Sequence, residues 1–301
     1  MFEEASYFAP VETSADGTVT VTLGADHPGV ADPSYRARRN AIASLAVSYQ
    51  LGDPIPHAEY TDEEHAVWAT VQRELPVKHE KYAVREFLDG AARLGLPTDR
   101  IPQLEEVSQL LEPLTGFRYY PAAGLVPLRD FYSVLADSRF YSTQYIRHHS
   151  VPLYTPEPDI VHEVIGHANT LASDRYAALY RAAGQAASRV RTESALEFVS
   201  KVFWFSLEFG VSYEGSELKT YGAGILSSFG EIEEFRHQEI RELDLSAMGT
   251  TTYDITKYQP VLFAGRSFSH VEEVVGGFFE TVDDDMAHRL AAEATDRTVS
   301  A

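Results

Sequence analysis

Ten residues, Pro158-Asp159-Ile160-Val161-His162-Glu163-Val164-Ile165-Gly166-His167, hold two imidazoles five positions apart with carboxylates between and before them. A second run, Phe203-Trp204-Phe205-Ser206-Leu207-Glu208-Phe209-Gly210, sets one lone acid among aromatic residues. Two neutral imidazoles and one carboxylate form the facial triad that holds non-haem Fe(II) and leaves positions open for dioxygen and substrate. A carboxylate buried in aromatics is costly unless paired or metal-bound. Glu208 is therefore the candidate third ligand beside His162 and His167. Asp159 stands one helical turn before His162 and is placed to brace an imidazole from behind. On an α-helix, residues five apart do not share a face cleanly. Gly166 would let the backbone tighten or end there, so that His167 swings toward the same point. The zincin pattern needs histidines four apart, and the residue four after His162 is Gly166. A zinc hydrolase with Glu163 as base is disfavoured on that ground. The residues by themselves leave a second reading open, a pair of hydrogen-bonded core histidines.

The elements that must position these groups are mostly helical. Pro156-Glu157-Pro158-Asp159 reads as a helix start, two prolines and then an acid in the first turn. A later helix over 194–209 would carry Glu208 near its end. Asp32-Pro33 reads as an N-cap followed by proline at the first helical position, opening a helix over 35–49. Thr61 and Glu64 form a capping box for a helix running to 75. Further helices are expected over 82–94, stopped at Gly95, over 105–111, closed before Pro113, and over 129–136. The alternating, β-branched stretch 18–23 fits one edge strand, and 116–128 a loop or short strand. The expected fold is mainly α with minor β. It divides into an N-terminal extension over 1–26, a catalytic domain over 27–285 and a polar, frayed tail over 286–301.

Composition narrows the partners. The chain has 301 residues, 44% of them hydrophobic, enough for a substantial core. It carries 25 basic and 45 acidic residues, a formal charge of −20. Nucleic acid and anionic membranes are poor partners for such a surface. There are no cysteines, so disulfides, thiolate-ligated clusters and thiolate-ligated haem are excluded. The start Met1-Phe2-Glu3-Glu4-Ala5 carries no secretion signal, and no apolar run approaches membrane-spanning length. A soluble cytoplasmic protein is the expectation.

Many further segments lie in one order along the chain. They include His27-Pro28-Gly29, Tyr35-Arg36-Ala37-Arg38-Arg39, Ile101-Pro102-Gln103-Leu104-Glu105, Thr115-Gly116-Phe117-Arg118 and Arg129-Asp130-Phe131. They continue with Thr143-Gln144-Tyr145-Ile146-Arg147-His148, Tyr154-Thr155-Pro156-Glu157-Pro158-Asp159 and Tyr221-Gly222-Ala223-Gly224-Ile225-Leu226-Ser227-Ser228-Phe229-Gly230-Glu231. With the two runs above, the sequence from about 27 to 280 resembles the tetrahydropterin-dependent aromatic amino acid hydroxylases, phenylalanine hydroxylases most of all. The resemblance implies that family's catalytic-domain fold, helices around an iron site with a few short strands. It implies Fe(II), a tetrahydropterin such as tetrahydrobiopterin, and dioxygen as co-substrate.

The resemblance also assigns roles. His162, His167 and Glu208 would be the iron ligands. Glu163 would face the pterin and help place it. Phe131 would stack on the pterin ring, with backbone at Gly124 and Leu125 bonding its amide edge. Arg147 would fork onto the substrate carboxylate, as guanidinium does well. Thr155 and Ser227 would add hydrogen bonds there, and Trp204 and Pro158 would wall the substrate ring. The implied reaction hydroxylates the ring of L-phenylalanine to L-tyrosine. Three departures from the family pattern bear on that outcome: Ala168-Asn169-Thr170 after His167, Phe203 where tyrosine is usual, and Tyr141 where histidine is common. They motivate a rival with the same machinery, giving meta-tyrosine or hydroxylating tryptophan. Trp204 favours phenylalanine over tryptophan. The chain looks like a stand-alone, bacterial-type catalytic domain, for which a monomer is expected.

Overall fold

The computed structural model describes residues 11–124, 126–255 and 257–299. A short hairpin opens the described residues, β1 (Val11–Thr13) antiparallel to β2 (Val19–Val21). It buries Val19 and Val21 against Ala43 of helix α1 (Pro33–Ser48). Asp32 caps α1 as its position before proline implies, accepting from the N–H groups of Ser34 and Tyr35.

Helix α2 (Asp62–Tyr82) starts at the expected capping box. The Glu64 N–H donates to Thr61 Oγ1, and the Thr61 N–H to Glu64 Oε2. It does not stop at residue 75 but runs through Pro76. The buried stripe Leu75, His79 and Tyr82 continues past the proline, and His79 Nε2 meets the Leu226 carbonyl at 2.7 Å. Tertiary packing there outweighs the lost backbone bond. Helix α3 is Arg85–Leu94, ended by Gly95 in the left-handed region, where only glycine sits without strain. Helix α4 (Leu104–Thr115) likewise passes its expected stop and contains Pro113. Buried Leu111 and Thr115 hold its last turn, Thr115 Oγ1 donating to the Leu171 carbonyl.

Strands β3 (Arg118–Pro121) and β4 (Arg139–Ser142) pair in parallel around helix α5 (Leu128–Leu135). A π-helix, Val161–Ala168, passes directly into α6 (Asn169–Leu171). Helices α7 (Asp174–Arg189) and α8 (Glu193–Phe203) follow, and α8 continues as a π-turn, Trp204–Glu208. A four-stranded sheet in the order β6-β5-β8-β7 closes one side. It comprises β5 (Val211–Glu214), β6 (Glu217–Thr220), β7 (Glu239–Glu242) and β8 (Val261–Gly265). Short helices α9 (Ala223–Ser227) and α10 (Glu231–Glu234) fall between its strands.

The final long helix, Asp284–Val299, occupies the stretch expected to fray. Ala287 is buried and Met286, Leu290 and Ala291 pack on the core, which stabilises a sequence that reads as polar. No helix among the described residues is long and apolar enough to cross a membrane. The architecture is the mainly helical one, with a few short strands, that the sequence implies.

Candidate active site

The five-residue spacing of the histidines is resolved by the π-helix. Its turns close i→i+5 rather than i→i+4, so residues five apart lie nearly over one another. His162 and His167 thus share a face, ring centroids 4.6 Å apart and planes at 88°. The helix neither tightens nor ends at Gly166. A Cβ there would sit 2.8 Å from the Ala223 carbonyl oxygen, so glycine is required by the close approach of α9. That approach delivers Ser227 Oγ to His162 Nδ1 at 2.9 Å. Glu208 ends the second π-turn, marked by the Phe209 N–H donating to the Trp204 carbonyl, again five residues back. Gly222 lets the chain pass over it, since a Cβ would meet the Glu208 carbonyl oxygen at 2.3 Å.

The three side chains converge. The two Nε2 atoms are 2.9 Å apart, and Glu208 Oε1 lies 3.3 Å from His167 Nε2 and Oε2 3.7 Å from His162 Nε2. Each imidazole's other nitrogen is engaged, by Ser227 Oγ on His162 and by Tyr180 Oη at 2.8 Å on His167. With Nδ1–H donating to these hydroxyls, both Nε2 lone pairs point into the same space. Burial holds both imidazoles neutral, His162 down to about 4 and His167 well below the ordinary histidine range. Burial also pushes Glu208 up to about 8. Glu163 lies within 4.8 Å of both imidazoles. Its carboxyl is raised well above the usual range by burial and by the charge of Glu208, against a hydrogen bond from the Thr143 backbone. Two converging lone pairs and two buried carboxyls that meet no Lys or Arg among the described residues fit a metal ion. Two imidazoles and one carboxylate are the donor set of the non-haem Fe(II) facial triad, so His162, His167 and Glu208 would hold such an ion.

The cluster faces a cavity of about 250 Å³ whose lining includes Gly124, Phe131, Arg147, Thr155, Pro158, Trp204 and Ser227. Leu125, expected beside Gly124, lies outside the described residues. Phe131 meets Phe140 and Phe203 edge-on, at 5.8 and 6.1 Å. Trp204 stacks on Tyr253 at 4.1 Å and 6°, and its Nε1–H donates to Gln259 Oε1. Asp159 pairs with Arg147, and Ser227 is the side chain that meets the His162 ring. Asp159 touches no imidazole ring. It takes a bidentate fork from Arg147, Nε to Oδ2 at 2.9 Å and Nη2 to Oδ1 at 2.8 Å, and accepts the backbone N–H of Arg147 and of His162. The imidazole brace is Ser227 instead. Asp159 is fully buried and needs a full cation, which a neutral imidazole cannot supply. Thr155 Oγ1 donates to the Glu157 carbonyl, shaping the loop that leads to the π-helix.

Of the three departures, Phe203 and Tyr141 line the cavity. Asn169 and Thr170 do not reach it; their side chains donate to the Ile165 and His167 carbonyls of their own helix. Residue patterns missed Tyr180, Tyr253 and Gln259. Tyr180 sits in the alanine-rich helix α7, where only a count of aromatics on its buried face would have marked it.

Comparisons with known proteins identify the family. Residues 15–298 match the family model of biopterin-dependent aromatic amino acid hydroxylases. The chain is 47% identical to a phenylalanine 3-hydroxylase of Streptomyces coeruleorubidus, over 91% of this chain and 98% of that one. It is 44% identical to the phenylalanine-4-hydroxylase of Rattus norvegicus over 86% of this chain, which spans 58% of that longer protein. A crystal structure of phenylalanine hydroxylase from Chromobacterium violaceum, with bound iron(III) and the oxidized cofactor 7,8-dihydrobiopterin, superposes with a TM-score of 0.72. That match has 28% identity and covers 81% of this chain and 89% of the other.

Proposed function

Because the chain belongs to the biopterin-dependent aromatic amino acid hydroxylases, we propose that it hydroxylates the ring of L-phenylalanine, and that the site residues divide the work as follows. His162, His167 and Glu208 hold iron, with Ser227 and Tyr180 fixing the imidazole tautomers that present Nε2. Glu163, buried beside them, faces the pterin, with Phe131 as its stacking wall and backbone at Gly124 and Leu125 at its edge. Iron and tetrahydropterin, when bound, supply the activation of dioxygen that the side chains cannot. Arg147 receives the substrate carboxylate. Asp159 takes its Nε and Nη2, which sets the guanidinium plane and keeps Nη1 out of that fork. Trp204, clamped by Tyr253 and Gln259, and Pro158 hold the ring, and the aromatic lining excludes water from it. The single observation that carries the reading is the convergence of both Nε2 atoms and the Glu208 carboxylate on one wall of the Arg147 cavity.

The ring position follows from how Arg147 and Trp204 aim the side chain. The resemblance implies para-tyrosine. One observation favours a second reading, meta-tyrosine: the 47% identity with a 3-hydroxylase over nearly the whole of both chains. The test is to incubate the Fe(II) protein with a tetrahydropterin, oxygen and phenylalanine, and to separate ortho-, meta- and para-tyrosine, with tryptophan in parallel. Either meta- or para-tyrosine supports phenylalanine hydroxylation and decides between the two. Hydroxytryptophan alone would contradict it. We further propose a monomer in the cytoplasm, its strong negative charge keeping it off nucleic acids and anionic membranes.

A further inference from the structure

An α-amino acid reaches the cavity as a zwitterion, and an ammonium taken from water without an acceptor is costly. Among the described residues, four carboxylates line the cavity: Glu157, Glu163, Glu208 and Glu231. Three are spoken for. Arg39 Nη1 lies 2.6 Å from Glu157 Oε1. Glu163 and Glu208 belong to the imidazole cluster. Glu231 differs. It is only 6% exposed, and one oxygen accepts the Gln259 N–H at 2.9 Å. Among the described residues no Lys, Arg or His forms an ion pair with it or shifts its ionisation. Burial pushes its carboxyl up to about 7, the Gln259 hydrogen bond pulling the other way.

Its anchoring ties it to the substrate wall. Gln259 accepts the indole N–H of Trp204 through its side chain while donating to Glu231 through its backbone. Ser227, which lines the same cavity, stands four residues before Glu231, and Ser228 Oγ accepts the Glu231 N–H. We propose that Glu231 accepts the α-ammonium group of the substrate while Arg147 holds its carboxylate. This rests on the aromatic amino acid reading above and names the specificity device within it, one that selects an α-amino acid over the same acid lacking the amine.

The test measures binding rather than turnover. The Fe(II) enzyme with tetrahydropterin is titrated anaerobically with L-phenylalanine and with 3-phenylpropanoate, for wild type and Glu231→Gln. Glutamine keeps the acceptor for the Gln259 N–H and removes only the charge. A lost charge-assisted hydrogen bond should raise the Kd for phenylalanine about 10- to 30-fold and leave that for 3-phenylpropanoate unchanged. Equal weakening of both ligands, or no change in either, overturns the ammonium role while phenylalanine binding by the wild type stands. If the wild type binds neither ligand, the aromatic amino acid reading falls, and this one with it.

Discussion

On one side of the cavity each buried charge meets its opposite within the chain; around His162 and His167 the buried acids meet none among the described residues. Arg147 and Asp159, 4% and 0% exposed, form a bidentate pair. Arg39 pairs with Glu157, with His27 Nε2 3.1 Å away. In both pairs the cation holds the carboxyl below its usual range although burial pushes it up. Glu208 is 8% exposed and is shifted the other way by burial alone. The pairs are complete as folded and serve as scaffolding and as a fork of fixed orientation. The imidazole cluster holds buried carboxyls that no Lys or Arg among the described residues pairs with, as the proposed iron site requires.

The comparison is broken most severely at Glu208. Glu208→Ala should lower phenylalanine hydroxylation at least 1000-fold, as expected when a group that works as part of a unit is removed. The melting temperature of the metal-free protein should stay level or rise, because an uncompensated buried acid is gone. A drop of many degrees in the metal-free variant would place Glu208 with the scaffold instead. Arg147→Ala should do the reverse to stability. It strands Asp159 in the interior and should cost about 3–5 kcal/mol in denaturant unfolding, with a raised KM for phenylalanine if the fold survives. Unchanged stability would show that the pair is not balanced as described.

A milder cut sharpens the contrast within the imidazole cluster. Ser227→Ala leaves His162 without the partner that fixes its tautomer and should weaken Fe(II) affinity about 10- to 100-fold. It should leave the Arg147–Asp159 pair intact, as read from unchanged unfolding of the metal-free protein. The smallest effect concerns pH. Glu231 has its folded carboxyl raised from 4.5 to about 7. Its folded state holds the proton more tightly than the unfolded one, so its contribution is full below about 4.5 and is lost as pH rises through about 7. Relative to Glu231→Gln, the wild type should lose roughly 1–3 kcal/mol between pH 4.5 and 8. Parallel stability curves for the two proteins would contradict this.

Much of the site was legible in the sequence because its chemistry is local. Two histidines in an apolar run and a lone acid in an aromatic one are types that burial makes costly, and they converge. What was hidden is what depends on backbone form or on distant chain. The π-helix that brings His162 and His167 onto one face has no composition of its own; Gly166 suggested a break, while in space it makes room for α9. Asp159 pairs with Arg147, and the side chain that braces the His162 ring comes from 65 positions away, beyond what local spacing shows. The helices expected to end at 75 and before Pro113 run on through Pro76 and Pro113, where buried residues beyond each proline decide the outcome.

The most direct test of the central claim is Fe(II) binding by the metal-free protein, measured anaerobically by calorimetry for wild type and Glu208→Ala. The account predicts one Fe(II) per wild-type chain and no measurable binding in the variant. Equal binding by the two proteins would contradict it.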